Sequence, residues 1–436
     1  MIPIGKLFEI EKGELQSTKC TPGEYDFITA AEDWKTHNEY THDCEALIFA
    51  AAASGSLGRT HYIDGKFTTS DLCYILTPKN EEKYPLNLSF YHFVFNSLRP
   101  SLVAATKSGT SKESINQANF NKYEIPYFDI ELQDLWIGKL RGTLGKKDLL
   151  CAELTHQQML LKKLRQQILQ EAIEGKLTAG WRANNPEVEP ASEFLKRIAV
   201  EKVRLIENES IKSQKPLSAI GENEKTFDLP AGWEWCRVRD FATHYVDCPH
   251  DTPKYQDTGF PCLRAPDVTE SGVKLNTVRR VSTSEYEIRI KRLKPIKNDL
   301  VYIREGGRLG VAGLINTNEP VCLGQRVMLL RFLHEFSAKY ALHFFNAPKT
   351  FENIVGKTIG SASPHVNVRD VISHEIPIPP LLEQQAIVTK VEVLLGICDQ
   401  LEVQIRRNKN HAEQLMQAVL KEAFSHNTTK AESPQA

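Results

Sequence analysis

Glu124-Ile-Pro126 and Glu375-Ile-Pro377 lie at the same place in two stretches, Lys107 to Ile173 and Thr358 to Phe424. The two stretches lie on each other without a gap at a constant offset of 251 residues. Gly109 falls on Gly360 and Asn116 on Asn367. Further along, Leu164-x-Gln166 falls on Leu415-x-Gln417, and Leu169-x-Glu171-Ala172 on Leu420-x-Glu422-Ala423. Sixteen of the 67 aligned positions are identical, too many for accident when no gap is allowed. A duplicated unit of this length is a domain with its trailing helix, not a short solenoid repeat. The duplication predicts a pseudo-twofold molecule, suited to a target that itself has two parts.

Outward from the repeat, the chain divides into six segments. Residues 1–134 are short apolar and aromatic runs broken by Gly, Asn, Asp and Pro, a first mixed domain. Residues 135–176 read as a first long helix, and 177–228 as a connector carrying one helix. Residues 229–378 repeat the mixed domain, 379–425 form a second long helix, and 426–436 read as a disordered tail. In the second helix Ile387, Val391, Leu394, Cys398, Leu401, Ile405, Asn408, Ala412, Leu415 and Val419 step by 4 and 3, a heptad seam. The first holds the same frame at Leu140, Leu150, Leu154, Leu161, Leu164 and Ile168. Gln157 and Asn408 are equivalent and sit on the seam, where a polar residue sets register at some loss of stability. A stripe this long and narrow calls for a helical partner. The expected fold class is α+β: two mixed α/β domains in pseudo-twofold arrangement, separated by two long antiparallel coiled-coil helices.

The 436 residues carry 41% hydrophobic and 25% charged side chains, an ordinary composition for a chain with real cores. The longest apolar run, Ala46 to Ala53, is too short to span a membrane, and the first residues lack the pattern of a signal peptide. Nine cysteines without any Cys-x-x-Cys pair read as reduced thiols of a cytoplasmic protein. A net charge of −1 argues weakly against nucleic acid, although local basic clusters or basic partners can supply what a DNA duplex requires.

Enzymatic signatures are mostly missing. Gly356-Lys357-Thr358 lacks the earlier glycine of a phosphate-binding loop, since position 351 is Phe. Pro266-Asp267 is followed by no acidic-x-Lys, which opposes a metal-dependent nuclease site. Cys248 and His250 are better explained as a buried thiol near a surface histidine than as a nucleophile dyad. Two kinds of loop suited to a polyanion remain, and both occur in both copies. One is Tyr302-Ile-Arg304-Glu-Gly-Gly-Arg308-Leu-Gly310, related to Ser54-Gly-Ser56-Leu-Gly-Arg59-Thr-His61. The other joins Lys107, Ser111, Lys112 and Asn116, matched by Lys357, Ser361, His365 and Asn367. Glycine lets backbone amides approach phosphate, and arginine offers a fork for phosphate or guanine. These thirteen side chains, Ser56, Arg59 and His61 among them, are the candidate DNA contacts. No catalytic or metal-ligating set is expected.

Three stretches resemble the specificity subunit of type I restriction-modification systems. They are Glu375-Ile-Pro-Ile-Pro-Pro-Leu-Leu-Glu-Gln-Gln385 running through Cys398-Asp-Gln-Leu-Glu402; Ile173 to Arg182 with Asn185-Pro-Glu-Val-Glu189; and Leu229-Pro-Ala-Gly-Trp-Glu-Trp235. The resemblance implies two target recognition domains, each reading half of a split double-stranded DNA site. It also implies assembly with two modification subunits and two restriction subunits. S-adenosylmethionine, ATP and magnesium would belong to those partners and not to this chain. At the first junction the chain departs from the pattern with Pro126-Tyr-Phe-Asp-Ile-Glu-Leu-Gln133, which leaves the start of the first long helix open. The rival readings are a stand-alone nuclease or methyltransferase, and a coiled-coil scaffold without a nucleic-acid role.

Overall fold

Strand order repeats the duplication that the sequence shows. The computed structural model describes residues 1–52, 55–108, 113–211, 213, 217–356 and 364–425, in two compact units, 1–156 with 405–436 and 157–404. The chain of the first unit runs β1 (Ile2–Pro3), α1 (Ile4–Leu7), β2 (Phe8–Lys12), β3 (Tyr25–Ile28), β4 (Lys35–His37), β5 (His42–Ala50), β6 (Thr60–Thr69) and β7 (Cys73–Pro78). It continues through α2 (Leu88–Thr106), β8 (Lys107–Ser108), β9 (Ser114–Ile115), α3 (Gln117–Lys122) and β10 (Glu124–Ile125) into the long α4 (Ile130–Ile173). Six strands form one sheet in the order β2-β7-β5-β6-β3-β4. Side chains alternate across β5, so Leu47 and Phe49 pack with Phe90, Tyr91 and Phe95 of α2, while Ala46, Ile48 and Ala50 join Ile28 and Phe67 on the other face.

The second unit holds α5 (Ala179–Ala183), α6 (Ala191–Glu207), β11 (Glu234–Arg237), α7 (Val238–Phe241), β12 (His244–Asp247), β13 (Tyr255–Gln256), β14 (Phe260–Leu263), β15 (Val268–Thr269), β16 (Gly272–Val273) and β17 (Arg279–Val281). After these come α8 (Thr283–Ile290), β18 (Leu300–Ile303), β19 (Ala312–Leu314), β20 (Cys322–Leu323), β21 (Val327–Arg331), α9 (Glu335–Asn346), α10 (Pro348–Val355), α11 (Val368–Ile372), β22 (Glu375–Ile378) and the long α12 (Leu381–Ser425). Its sheet β12-β21-β18-β19 has the same order as β2-β7-β5-β6. The β11–β22 pair, with Cys236 opposite Ile376, repeats β1–β10, with Ile2 opposite Ile125. The halves differ at their additions: β3 and β4 extend the first sheet, whereas the second half builds a separate sheet, β13-β17-β14-β20, and the pair β15–β16.

Side chains upstream of the alignable repeat also recur in place. Asn96 donates to Thr60 O over 2.8 Å and accepts from Thr60 N over 3.1 Å. Asn346 makes the same pair of bonds with Ala312, at 3.0 and 3.1 Å. Tyr91 donates to Pro126 O and Tyr340 to Pro377 O, two carbonyls 251 residues apart. Each side chain pairs with a backbone group that would otherwise be buried without a partner.

The two long helices span 44 and 45 residues and are paired antiparallel within each unit. In the second unit Arg165 meets Asp399 at 2.6 Å and Glu402 at 3.2 Å. In the first, Lys409 donates to Thr155 Oγ1 over 3.1 Å. The first helix begins at Ile130 and not at 135, because Gln133 does there what Gln384 does in α12. The covered residues fall mainly on one row of the heptad seam: Leu140, Leu154, Leu161 and Ile168 on α4, and Val391, Cys398, Ile405 and Ala412 on α12, while Ile387 begins the second row and is also buried. Leu150, Leu164, Leu401 and Leu415 stay exposed. Gln157 and Asn408 lie on this second row, Gln157 exposed and Asn408 half-buried, so neither bears the full desolvation cost of a core polar residue. Among the described residues no helix is long and apolar enough to cross a membrane, and all nine cysteines are free thiols.

Candidate nucleic-acid interface

In the first half, the loop after β5 is shaped by two glycines with left-handed backbone, Gly55 (φ +79°) and Gly58 (φ +77°). A Cβ on Gly58 would lie 2.5 Å from Val103 Cγ2, so no larger residue fits. Arg99, reaching from α2, holds the turn by donating to Leu57 O over 2.7 Å and Gly55 O over 3.1 Å. Ser56 and Arg59 are brought together: Arg59 donates to Ser56 Oγ at 3.4 Å and to Ala30 O at 3.3 Å, beside Glu32. His61 sits on β6, where it accepts from Trp34 Nε1 over 3.2 Å, and burial holds its imidazole below the ordinary value.

The second loop meets the first through the backbone. Ile115 N donates to Ala51 O over 2.7 Å. Lys107 is exposed and paired with Glu113 at 3.0 Å. Asn116 caps α3, its side chain accepting from Asn119 N over 3.1 Å. Ser111 and Lys112 lie outside the described residues.

The second half has the same join. Val366, 251 residues after Ile115, donates its amide to Arg304 O over 3.0 Å, and Gly306 N donates to Pro364 O over 3.1 Å. The two arginines of the Gly-rich turn part company. Arg304 is only 4% exposed. Its guanidinium donates to Asp247 Oδ1 and Oδ2 at 3.1 and 3.0 Å and to Val366 O at 2.9 Å, so it fastens the two loops together. Arg308 is exposed, with Nη1 donating to Ala265 O at 3.1 Å and Pro266 O at 3.2 Å. His365 stands opposite Glu305 in an isolated bridge. Asn367 precedes α11 and donates to Asp370 over 3.1 Å. Lys357 and Ser361 lie outside the described residues.

Sequence reasoning missed Arg99 and the partnership of Arg264 with Asp267. Pro266-Asp267, which no acidic-x-Lys follows, has a structural use: Asp267 accepts from Arg264 Nε at 2.9 Å and Nη2 at 3.1 Å. Cys248 is buried, which pushes its thiol up, and His250 faces Asp247 at 3.2 Å, so the pair does not form a nucleophile and its base. The arrangement offers a glycine turn beside the loop junction of each half, with exposed Lys107 and the Asn116 cap in the first and exposed Arg308 in the second. Such groups bind phosphate and base edges.

The fold and these junctions coincide with a known family. The model for the type I restriction modification DNA specificity domain matches residues 1–134 and 230–408, and the chain belongs to that family. The chain is similar to the EcoAI specificity subunit of Escherichia coli, 31% identical over 297 residues, 64% of this chain and 46% of the relative. To the EcoKI specificity subunit of Escherichia coli strain K12 it is 26% identical over 403 residues, 89% of this chain and 76% of that one. The matched part spans less than half of the EcoAI and EcoEI subunits, 46% and 42% of their lengths. One solved structure, described under complex assembly and conformational transition of the type I R-M system, superposes with a TM-score of 0.58 at 16% identity, covering 97% of this chain and 96% of that one. The HsdS subunit from Thermoanaerobacter tengcongensis gives 0.50 at 14% identity, covering 97% and 95%. Both are likenesses of fold.

Proposed function

We propose that this chain is the DNA-recognition subunit of a type I restriction-modification complex and performs no catalysis itself. Each mixed domain reads one half of a split double-stranded site. The reading rests on one observation: the Gly-rich loop and the Lys/Asn loop are joined by an equivalent backbone hydrogen bond in both halves, Ile115 to Ala51 and Val366 to Arg304. Two copies of one binding element suit a target in two parts. Ser56, Arg59, His61, Lys107, Ser111 and Lys112 serve the first half-site, and Arg308, Lys357, Ser361 and His365 the second. Arg304, Asn116 and Asn367 shape the loops that carry them.

Two modification subunits bring S-adenosylmethionine, and two restriction subunits bring ATP and magnesium. The exposed leucine row on the long helices supports a role in assembly, since exposed apolar rows favour a partner. A net charge of −1 fits a subunit whose partners close around the duplex. The free thiols suit the cytoplasm.

Methylome mapping of cells carrying the whole system tests the reading: a split motif is expected, and a continuous motif or none would overturn it. The purified chain alone is expected neither to cut nor to methylate DNA. Magnesium-dependent cleavage, or methyl transfer from S-adenosylmethionine, by the pure chain would show it to be an enzyme.

A further inference from the structure

We infer that Arg264 is a base-reading residue of the second domain, aimed by Asp267 and Tyr255, with Arg279 as a phosphate contact beside it. The inference rests on the DNA-recognition reading and adds the residues that discriminate. Arg264 follows β14 directly and opens the turn on which Arg308 is docked, through the Ala265 and Pro266 carbonyls. Asp267 is 1% exposed, so its carboxylate is committed to this turn. It accepts the Arg264 amide at 3.0 Å as well as two side-chain nitrogens. The Tyr255 ring lies beside both neighbouring guanidiniums, with Cζ of Arg264 5.8 Å and Cζ of Arg279 5.1 Å from its centroid. Gly324 makes room for the stem, since a Cβ there would lie 2.9 Å from Arg264 Cγ.

A purely structural arginine looks different in this same domain. Arg289 has a fully buried side chain, and all its nitrogens are engaged, by Glu285, Leu323 O and Asp251. Arg264 keeps its side chain 21% exposed, and its Nη1 engages no group among the described residues. A guanidinium gripped along one edge by a carboxylate has lost its rotamer freedom and presents the other edge as a rigid fork. Such a fork matches the O6 and N7 acceptors of guanine in the major groove. Arg264, Arg279 and Arg308 surround one turn that holds a single carboxylate, Asp267, and the surplus positive charge favours an anion there.

The test uses the full chain assembled with its modification subunits and a pool of duplexes with a randomised core, selected and sequenced. Arg264→Lys keeps the charge and loses the fork. It is expected to relax one guanine of the second half-site only, and to weaken the selected duplex roughly 10- to 100-fold. Binding of unselected duplex is expected to change little. Asp267→Asn is expected to relax the same position. Arg279→Ala is expected to weaken selected and unselected duplex alike and to lower the salt slope by about 1. The double variant Arg264→Leu with Asp267→Leu leaves no lone buried carboxylate, and it takes over the test where Arg264→Lys fails to fold. An unchanged motif and affinity in a folded Arg264 variant would overturn the inference while leaving DNA recognition standing. Loss of motif selection by the wild-type complex would instead overturn the recognition reading.

Discussion

Gln384 donates its side-chain amide to the carbonyl of Pro379 over 2.9 Å, from the first turn of the helix that Pro379 precedes. Gln133 does the same to Phe128 over 2.6 Å, and both pairs fit the 251-residue repeat. The glutamine oxygens accept from the start of an earlier helix in each half, Gln384 from Ser337 Oγ of α9 at 2.8 Å and Gln133 from the amide of Asn87, which caps α2, at 2.7 Å. Both side chains are fully buried.

Replacing either glutamine by Ala leaves a buried donor and a buried acceptor unpaired. Each substitution is expected to destabilise its half by about 1–3 kcal/mol. Denaturant unfolding of Gln133→Ala and Gln384→Ala measures this. Wild-type midpoints in both would show that the tie between helices is dispensable.

Arg304 and Arg308 are expected to separate stability from binding. The Arg304 side chain is 5% exposed and its partner Asp247 20% exposed. Arg304→Ala is expected to destabilise by about 2–3 kcal/mol, less than for a fully enclosed pair. Arg308→Ala is expected to alter stability by less than about 1 kcal/mol. It should still weaken binding of the half-site read by the second domain. The reverse pattern in melts and DNA titrations would mean that the exposed arginine is structural.

Glu174 makes an acid-sensitive contact in the second unit. Burial alone would raise its carboxyl, but hydrogen bonds from Lys176, Lys349 and Gln170 outweigh that and hold it at about 2, below the ordinary 4.5. A carboxyl depressed in the fold contributes stability above its unfolded value and loses it as pH falls from about 4.5 towards 2. Glu174→Gln is expected to lower stability at pH 7 and to bring it closer to wild type near pH 2. A constant difference in unfolding free energy across that range would contradict the contact.

The helix pair is expected to act as a ruler in the assembled complex. Thr155 and Lys409 face each other, so seven residues inserted after Leu154 and after Lys409 keep the seam and lengthen each helix by ~10 Å. Base pairs rise ~3.4 Å, so the spacer between the two half-sites is expected to grow by about three base pairs while the half-sites stay the same. Methylome sequencing reads the outcome. A folded, active variant that modifies the original spacer would remove the helices from that role.

The duplication, the two long helices and the family were legible in one dimension. A gapless repeat and a heptad period are properties of residue order, and burial follows the period at Leu154, Leu161 and Ile168. The extra sheet around β14 and β17 was not legible. Its strands are two to four residues long and leave no sustained period.

The candidate site divides in the same way. Residue order placed a Gly-rich turn with arginines in each half. Only the tertiary structure decided which arginines are exposed and which are buried against a carboxylate. Arg304 and Arg308 stand four residues apart in one turn, yet Arg304 is committed to Asp247, 57 residues earlier in the chain. Residue order set Pro266-Asp267 apart from a nuclease site, but only the folded turn shows the Asp267 carboxylate held against Arg264. The partner of a charge is set by which strands lie side by side, and that information belongs to the fold and not to the neighbours of the charge in sequence.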